Sequence, residues 1–203
     1  MAVARRWKAA IGVLAVTAAV AIGVVVLGIS SSARTVASPE RIAVDSPDAV
    51  PGLGGRQLKA KYQVDGIDFA GKRTGARLPG ELIVDWYADG GLSFHQEVWA
   101  LEDPLDAWWK FRSENPESRF AREGGGDLLV DVDPLKALHA DSYRYFCGNV
   151  GHSKRKDFED CQVWGYWARY GQYLIYLELS GKREPKSSMD DIVQYFDARM
   201  GTL

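Results

Sequence analysis

The stretch Cys161–Leu179, CQVWGYWARYGQYLIYLEL, decides the fold. Two aromatic-rich runs, Cys161–Arg169 and Gln172–Leu179, flank Tyr170-Gly171, where the glycine offers the backbone freedom of a tight hairpin turn. Aromatic and β-branched side chains suit a pleated surface, so both runs predict strands, and Ser142–Cys147 predicts a third beside them.

A two-residue turn at Tyr170-Gly171 sets Arg169 against Gln172, Trp167 against Leu174, Gly165 against Tyr176 and Val163 against Glu178. Placing Cys147 directly opposite Cys161 then brings Tyr145 to Val163 and Tyr143 to Gly165. One sheet face carries Tyr143, Tyr145, Val163, Trp167, Leu174 and Tyr176 around the gap at Gly165. The other carries Phe146, Trp164, Tyr166, Ala168, Tyr173, Ile175, Leu177 and Leu179. Both faces are apolar, so both need a cover. If the first is left partly open, Tyr143, Tyr145, Trp167, Leu174 and Tyr176 form an aromatic-lined binding groove. If it is covered, they are core.

Downstream, Ser187 is positioned to cap a terminal helix with Asp190 three residues on. Met189, Ile192, Val193, Phe196 and Met200 form its apolar stripe, and Gly201 is the stop. Upstream, Asp103-Pro104 opens another helix, with a capping carboxylate before a proline at the first helical position, and Asn115-Pro116 ends it. Leu105, Trp108, Trp109 and Arg112 share one face of that helix. Before it lies a hairpin. Leu82, Val84 and Trp86 alternate with Ile83, Asp85 and Tyr87, Asp89-Gly90-Gly91 turns, and Leu92, Phe94, Gln96 and Val98 alternate with Ser93, His95, Glu97 and Trp99. Alternation over Gln57–Val64 adds a further strand before an Asp65-Gly66 turn, and Leu128–Val132 a short one. Gly71–Gly80 and Gly124–Gly126 read as loops, and Asp133-Pro134-Leu135 as a brief helical turn. Sheet, inserted helix and terminal helix together make an α+β domain with a mainly antiparallel sheet.

Farther upstream the composition changes. Ala9–Ile29 has 21 residues without charge or proline, the length of a membrane-spanning helix. Arg5, Arg6 and Lys8 precede it, whereas only Arg34 and Arg41 follow closely, so the N-terminus belongs inside and the rest outside. Residues 1–8 are then a cytoplasmic tail, 9–29 a single-pass signal-anchor, 30–55 a proline- and glycine-bearing linker, and 56–203 one extracytoplasmic domain. The alternative is a signal cleaved after Thr35-Val36-Ala37, leaving a secreted protein.

The formal charge of −2 divides into +3 before the apolar run and −5 after it, which gives no electrostatic footprint for nucleic acid. Cys147 and Cys161 are the two cysteines, and an exported pair reads as a disulfide. A metal site from Cys147, His152 and Cys161 lacks a fourth ligand at recognisable spacing.

Catalytic patterns are thin. There is no Gly-x-Ser-x-Gly elbow, no His-Glu-x-x-His helix and no EF-hand loop, so neither catalytic residues, a metal nor a cofactor is expected. His95 and Glu97 share a strand face, a spacing open to acid–base chemistry and equally to a solvated strand surface. The loop His152–Lys156 is a basic tip that could meet acidic polymer or lipid headgroups. These features point to a membrane-tethered extracytoplasmic binding or accessory domain, with an envelope protein or a small molecule as its ligand. An envelope enzyme acting through carboxylates such as Asp85 and Glu97 is the alternative, and a structural subunit of a membrane complex the second.

Overall fold

Residues Glu81–Tyr87 (β2) and Ser93–Ala100 (β3) form the anticipated hairpin, with Trp86 opposite Phe94 and Asp85 opposite His95. Gly90 and Gly91 make its turn at φ of 97° and 87°, backbone that favours glycine. A computed structural model of the protein describes residues 38–44, 46–62, 80–114, 130–132, 135, 138–148 and 160–202. The hairpin pairs with Lys59–Tyr62 (β1) on one side and with the long strand Tyr173–Pro185 (β7) on the other. Asp160–Tyr170 (β6), Ser142–Gly148 (β5) and Val130–Asp131 (β4) complete a seven-stranded, wholly antiparallel sheet in the order β1-β2-β3-β7-β6-β5-β4. The described residues form a single α+β domain.

Lys186–Gly201 (α3) covers one face, burying Met189, Ile192, Val193, Phe196 and Met200 as the apolar stripe requires. Its start differs from expectation. Pro185 stands at the N-cap without a side-chain bond, and Asp190 instead pairs with Lys186 at 2.8 Å and accepts from Tyr145 at 2.7 Å. Beneath α3 lie Trp86, Phe94, Trp164, Tyr166, Tyr170, Tyr173, Ile175, Leu177 and Leu179.

The second face is covered over part of its area by Pro104–Ser113 (α2). Asp103 caps α2 by accepting from the backbone N–H of Leu105 (2.7 Å) and Asp106 (2.9 Å).

The linker expected up to residue 55 is corrected from Pro39 onward. Pro39–Ile42 (α1) and the 3₁₀ turn Pro47–Ala49 place Ile42, Val44, Val50 and Leu53 at 0–3 % exposure in the α3-side core. Four aliphatic side chains scattered between prolines bury enough area to pin a chain whose composition suggests a spacer. Gly52 packs so tightly on α3 that a Cβ there would lie 2.3 Å from the Ser188 carbonyl oxygen.

The apolar run Ala9–Ile29, the Asp65-Gly66 turn, the loops at 71–79 and 124–126, Asp133-Pro134, Asn115-Pro116 and the basic tip His152–Lys156 lie outside the described residues. No described helix is long and apolar enough to cross a membrane.

Candidate functional site

The register of the three late strands decides which side chains meet. The β6–β7 turn centres on Gly171-Gln172, so Tyr170 faces Tyr173 and Trp167 faces Tyr176, two residues away from the expected pairing. An even shift keeps every side chain on its face, and Trp167, Leu174 and Tyr176 do share one.

Between β5 and β6 the shift is odd. Tyr145 faces Tyr166, Phe146 faces Gly165 and Cys147 faces Trp164. Tyr143 and Tyr145 therefore stand on the α3 side, and Phe146 takes their expected place. In its pairing with β7, β6 carries an irregularity between Cys161 and Val163, and the cysteines bond across β5 and β6 without lying opposite each other. Their Cα atoms are 6.0 Å apart, within the range of a disulfide.

The expected groove is filled. Phe111 of α2 stacks on Trp167 with ring centres 5.8 Å apart, and its carbonyl accepts from the Trp167 indole at 3.3 Å. Trp99 meets Trp167 edge-on at 5.3 Å. Trp167, Leu174 and Tyr176 are 2 %, 0 % and 4 % exposed, so of the five groove residues these three pack as core here while Tyr145 is buried under α3.

α2 achieves this with the side opposite to the one its tryptophans occupy. Pro104, Ala107 and Phe111 point inward. Leu105 and Trp109 point outward at 39 % and 59 % exposure, Arg112 is exposed, and Trp108 is half-buried edge-on to Trp109. Pro104, Ala107 and Phe111 recur at helical spacing too, and that weaker stripe is the signal in the sequence for the outward tryptophans.

Beside the α2-covered region the same sheet face is polar. His95 Nδ1 lies 2.5 Å from Asp85 Oδ1, and its Nε2 lies 2.9 Å from Glu97 Oε1. Tyr176 meets the imidazole edge-on and donates to Glu178 at 2.6 Å. Ser180 extends the network to Ser93 at 2.9 Å. The solvated strand surface is corrected here, since Asp85, His95 and Glu97 are 4 %, 7 % and 3 % exposed. Burial alone would lower the His95 pKa, but the hydrogen bonds and charges of Asp85 and Glu97 outweigh it and raise it from 6.5 to about 10. An imidazolium clamped at both nitrogens has no lone pair with which to take a proton at neutral pH. At the hairpin end Tyr87 is 39 % exposed, its phenol raised by burial and then by the charges of Asp85 and Glu178.

A second carboxylate–imidazole pair escaped the sequence altogether. Buried Asp197 of α3 accepts from the His139 backbone N–H with both oxygens at 2.9 Å, holds His139 Nδ1 at 2.7 Å, and accepts from Tyr170 at 3.0 Å. Tyr170 in turn shares a hydrogen bond with Tyr166. Burial, then these neighbours, push the Tyr170 phenol far above its ordinary value. The pair ties an irregular segment to the last turns of α3, and no spacing in the chain announces it.

Among the described residues no group of three or more His, Cys, Asp or Glu side chains is arranged to hold a metal ion. Compared with known proteins, the chain matches no family model, no curated protein and no solved structure.

Proposed function

We propose that this chain is a membrane-tethered, extracytoplasmic binding or accessory domain without catalytic activity, and that its contact surface is the outer side of α2. The observation that carries this reading is Trp109, a large indole 59 % exposed on a helix whose other side is fixed to the sheet. Exposed tryptophan is costly to leave in water and is characteristic of contact surfaces. The tether is Ala9–Ile29, placed by its uncharged length, and the Cys147–Cys161 bond suits an oxidising compartment.

The carboxylate-enzyme alternative has its residues together, since Asp85 and Glu97 flank His95. Their burial and mutual pairing favour a structural role. A photo-crosslinking residue placed at Trp109 in the full chain in native membranes should react with a neighbour. The same residue at Tyr87, beside the acidic cluster, should not. Reaction at Tyr87 alone would turn the reading toward the cluster. An alkaline carbonate wash of those membranes should leave the chain in the pellet.

A further inference from the structure

We infer that the outer side of α2 seats on the membrane surface that carries the tether, with Leu105 and Trp109 in the headgroup layer; this rests on the anchored reading of Ala9–Ile29 above. The first support is where α1 lies. Arg199, near the end of α3, donates to the Arg41 carbonyl at 2.6 Å, and Tyr170 donates to Asp197 beside it. α1 therefore lies at the sheet end that carries the Gly171 turn. α2 starts at this same end, because the Leu101 backbone N–H donates to the Gln172 carbonyl at 3.0 Å just before Asp103 caps the helix. The exposed Ser38 and the first turn of α2 thus share one end of the domain, whereas Tyr87 lies at the other.

Length supplies the second support. Since the chain is packed from α1 onward, only residues 30–37 separate Ile29 from Ser38, at most about 28 Å of extended backbone. So short a tether holds the Gly171 end against the bilayer at high effective concentration, and a weak surface affinity suffices.

Chemistry supplies the third. An indole with an apolar body and an N–H edge is suited to the interface between headgroups and hydrocarbon, and Leu105 one turn earlier extends the apolar contact. Glu102, Asp103 and Asp106 flank the first turn of α2 and are exposed, so the contact is apolar and does not require anionic lipid.

The test uses the full chain reconstituted in phosphatidylcholine vesicles and floated through alkaline carbonate. Hydroxyl-radical oxidation is then read residue by residue, with Tyr87 as the internal reference for an open position. Trp109 should react at least fivefold more slowly than its exposure relative to Tyr87 implies, at every protein-to-lipid ratio. Trp109 reacting as an open residue in floated chain overturns the inference and leaves the anchor standing. Protection that fades as protein is diluted in lipid overturns it in favour of a second copy of the chain. A chain that fails to float overturns the anchor, and the inference falls with it.

Discussion

The Phe146 ring occupies the space over Gly165 that any side chain at position 165 would need: a Cβ there would lie 2.1 Å from two ring carbons. The two residues face each other across β5 and β6, so neither can withdraw without breaking the ladder. Gly165→Ala should therefore destabilise the domain by about 3 kcal/mol, the upper part of the range for overpacking a core. Shortening Phe146 to alanine as well should return part of that loss. Urea unfolding of the two single variants and the double variant measures the coupling; strict additivity would show that the ring and the glycine are independent.

Trp164 and Trp167 sit on opposite faces, and both are core. Trp164 is wholly buried under α3 and donates to the Glu184 carbonyl at 2.6 Å, while Trp167 is held by Phe111 and Trp99. Replacing either with alanine should cost about 3–5 kcal/mol. A much smaller loss at Trp167, read by equilibrium unfolding, would mean that α2 leaves its face in exchange with solvent.

How much of this was legible in the sequence depends on the contrast between the two faces of each strand. In β2 and β3, apolar residues alternate with Asp85, His95 and Glu97, and the division into two faces follows from the alternation, although the polar face is buried where a solvated one is expected. In β5 and β6 both faces are aromatic, so a shift of one residue leaves the pattern unchanged, and only the disulfide seemed to fix the pairing. The cysteines bond without lying opposite each other, which defeats that inference and leaves Tyr143 and Tyr145 on the α3 side. In α2, Leu105 and the tryptophans are the more apolar stripe, yet Pro104, Ala107 and Phe111 are the buried ones, with Phe111 stacked on Trp167. Side-chain shape decided it, and hydrophobicity alone does not encode shape.

His95 should make stability depend on alkaline pH. Its folded pKa, about 10, lies above the ordinary 6.5 of an unfolded histidine. The stabilisation is then fully present below about pH 6.5 and is lost as pH rises through 10, amounting to a few kcal/mol in order of magnitude. Urea unfolding from pH 6 to 10 should show a declining free energy in the parent. The decline should be largely absent in His95→Gln, with Asp85→Asn as a second variant should the first not fold. An identical decline in parent and variants would assign it to other groups.

Reducing the Cys147–Cys161 bond releases a loop of sequence separation 14 and should cost on the order of 3 kcal/mol. Unfolding with and without reductant reads it directly. Cys147→Ala with Cys161→Ala should match the reduced parent, and a stability unchanged by reductant would place the bond outside the cooperative unit.

The domain should require the segment that looks like its linker. Ile42, Val44, Val50 and Leu53 are all but inaccessible, and at about 1.5–3 kcal/mol for each buried side chain their joint contribution rivals the whole stability of an ordinary domain. Polar contacts fix the same stretch. The Val44 backbone N–H donates to buried Gln96 at 3.3 Å, Arg199 donates to the Arg41 carbonyl, and Arg56 bonds both Glu184 and Ser188. A chain beginning at Ser38 should therefore unfold cooperatively, whereas one beginning at Arg56 should expose the α3-side core and aggregate or fail to show a transition. Gly52→Ala in the longer chain supplies a finer probe, because a Cβ at that φ of +83° meets the Ser188 backbone. It should lower the midpoint without abolishing the transition. If the chain from Arg56 unfolds with the same midpoint and slope as the chain from Ser38, the segment is an appendage and its burial contributes nothing to the fold.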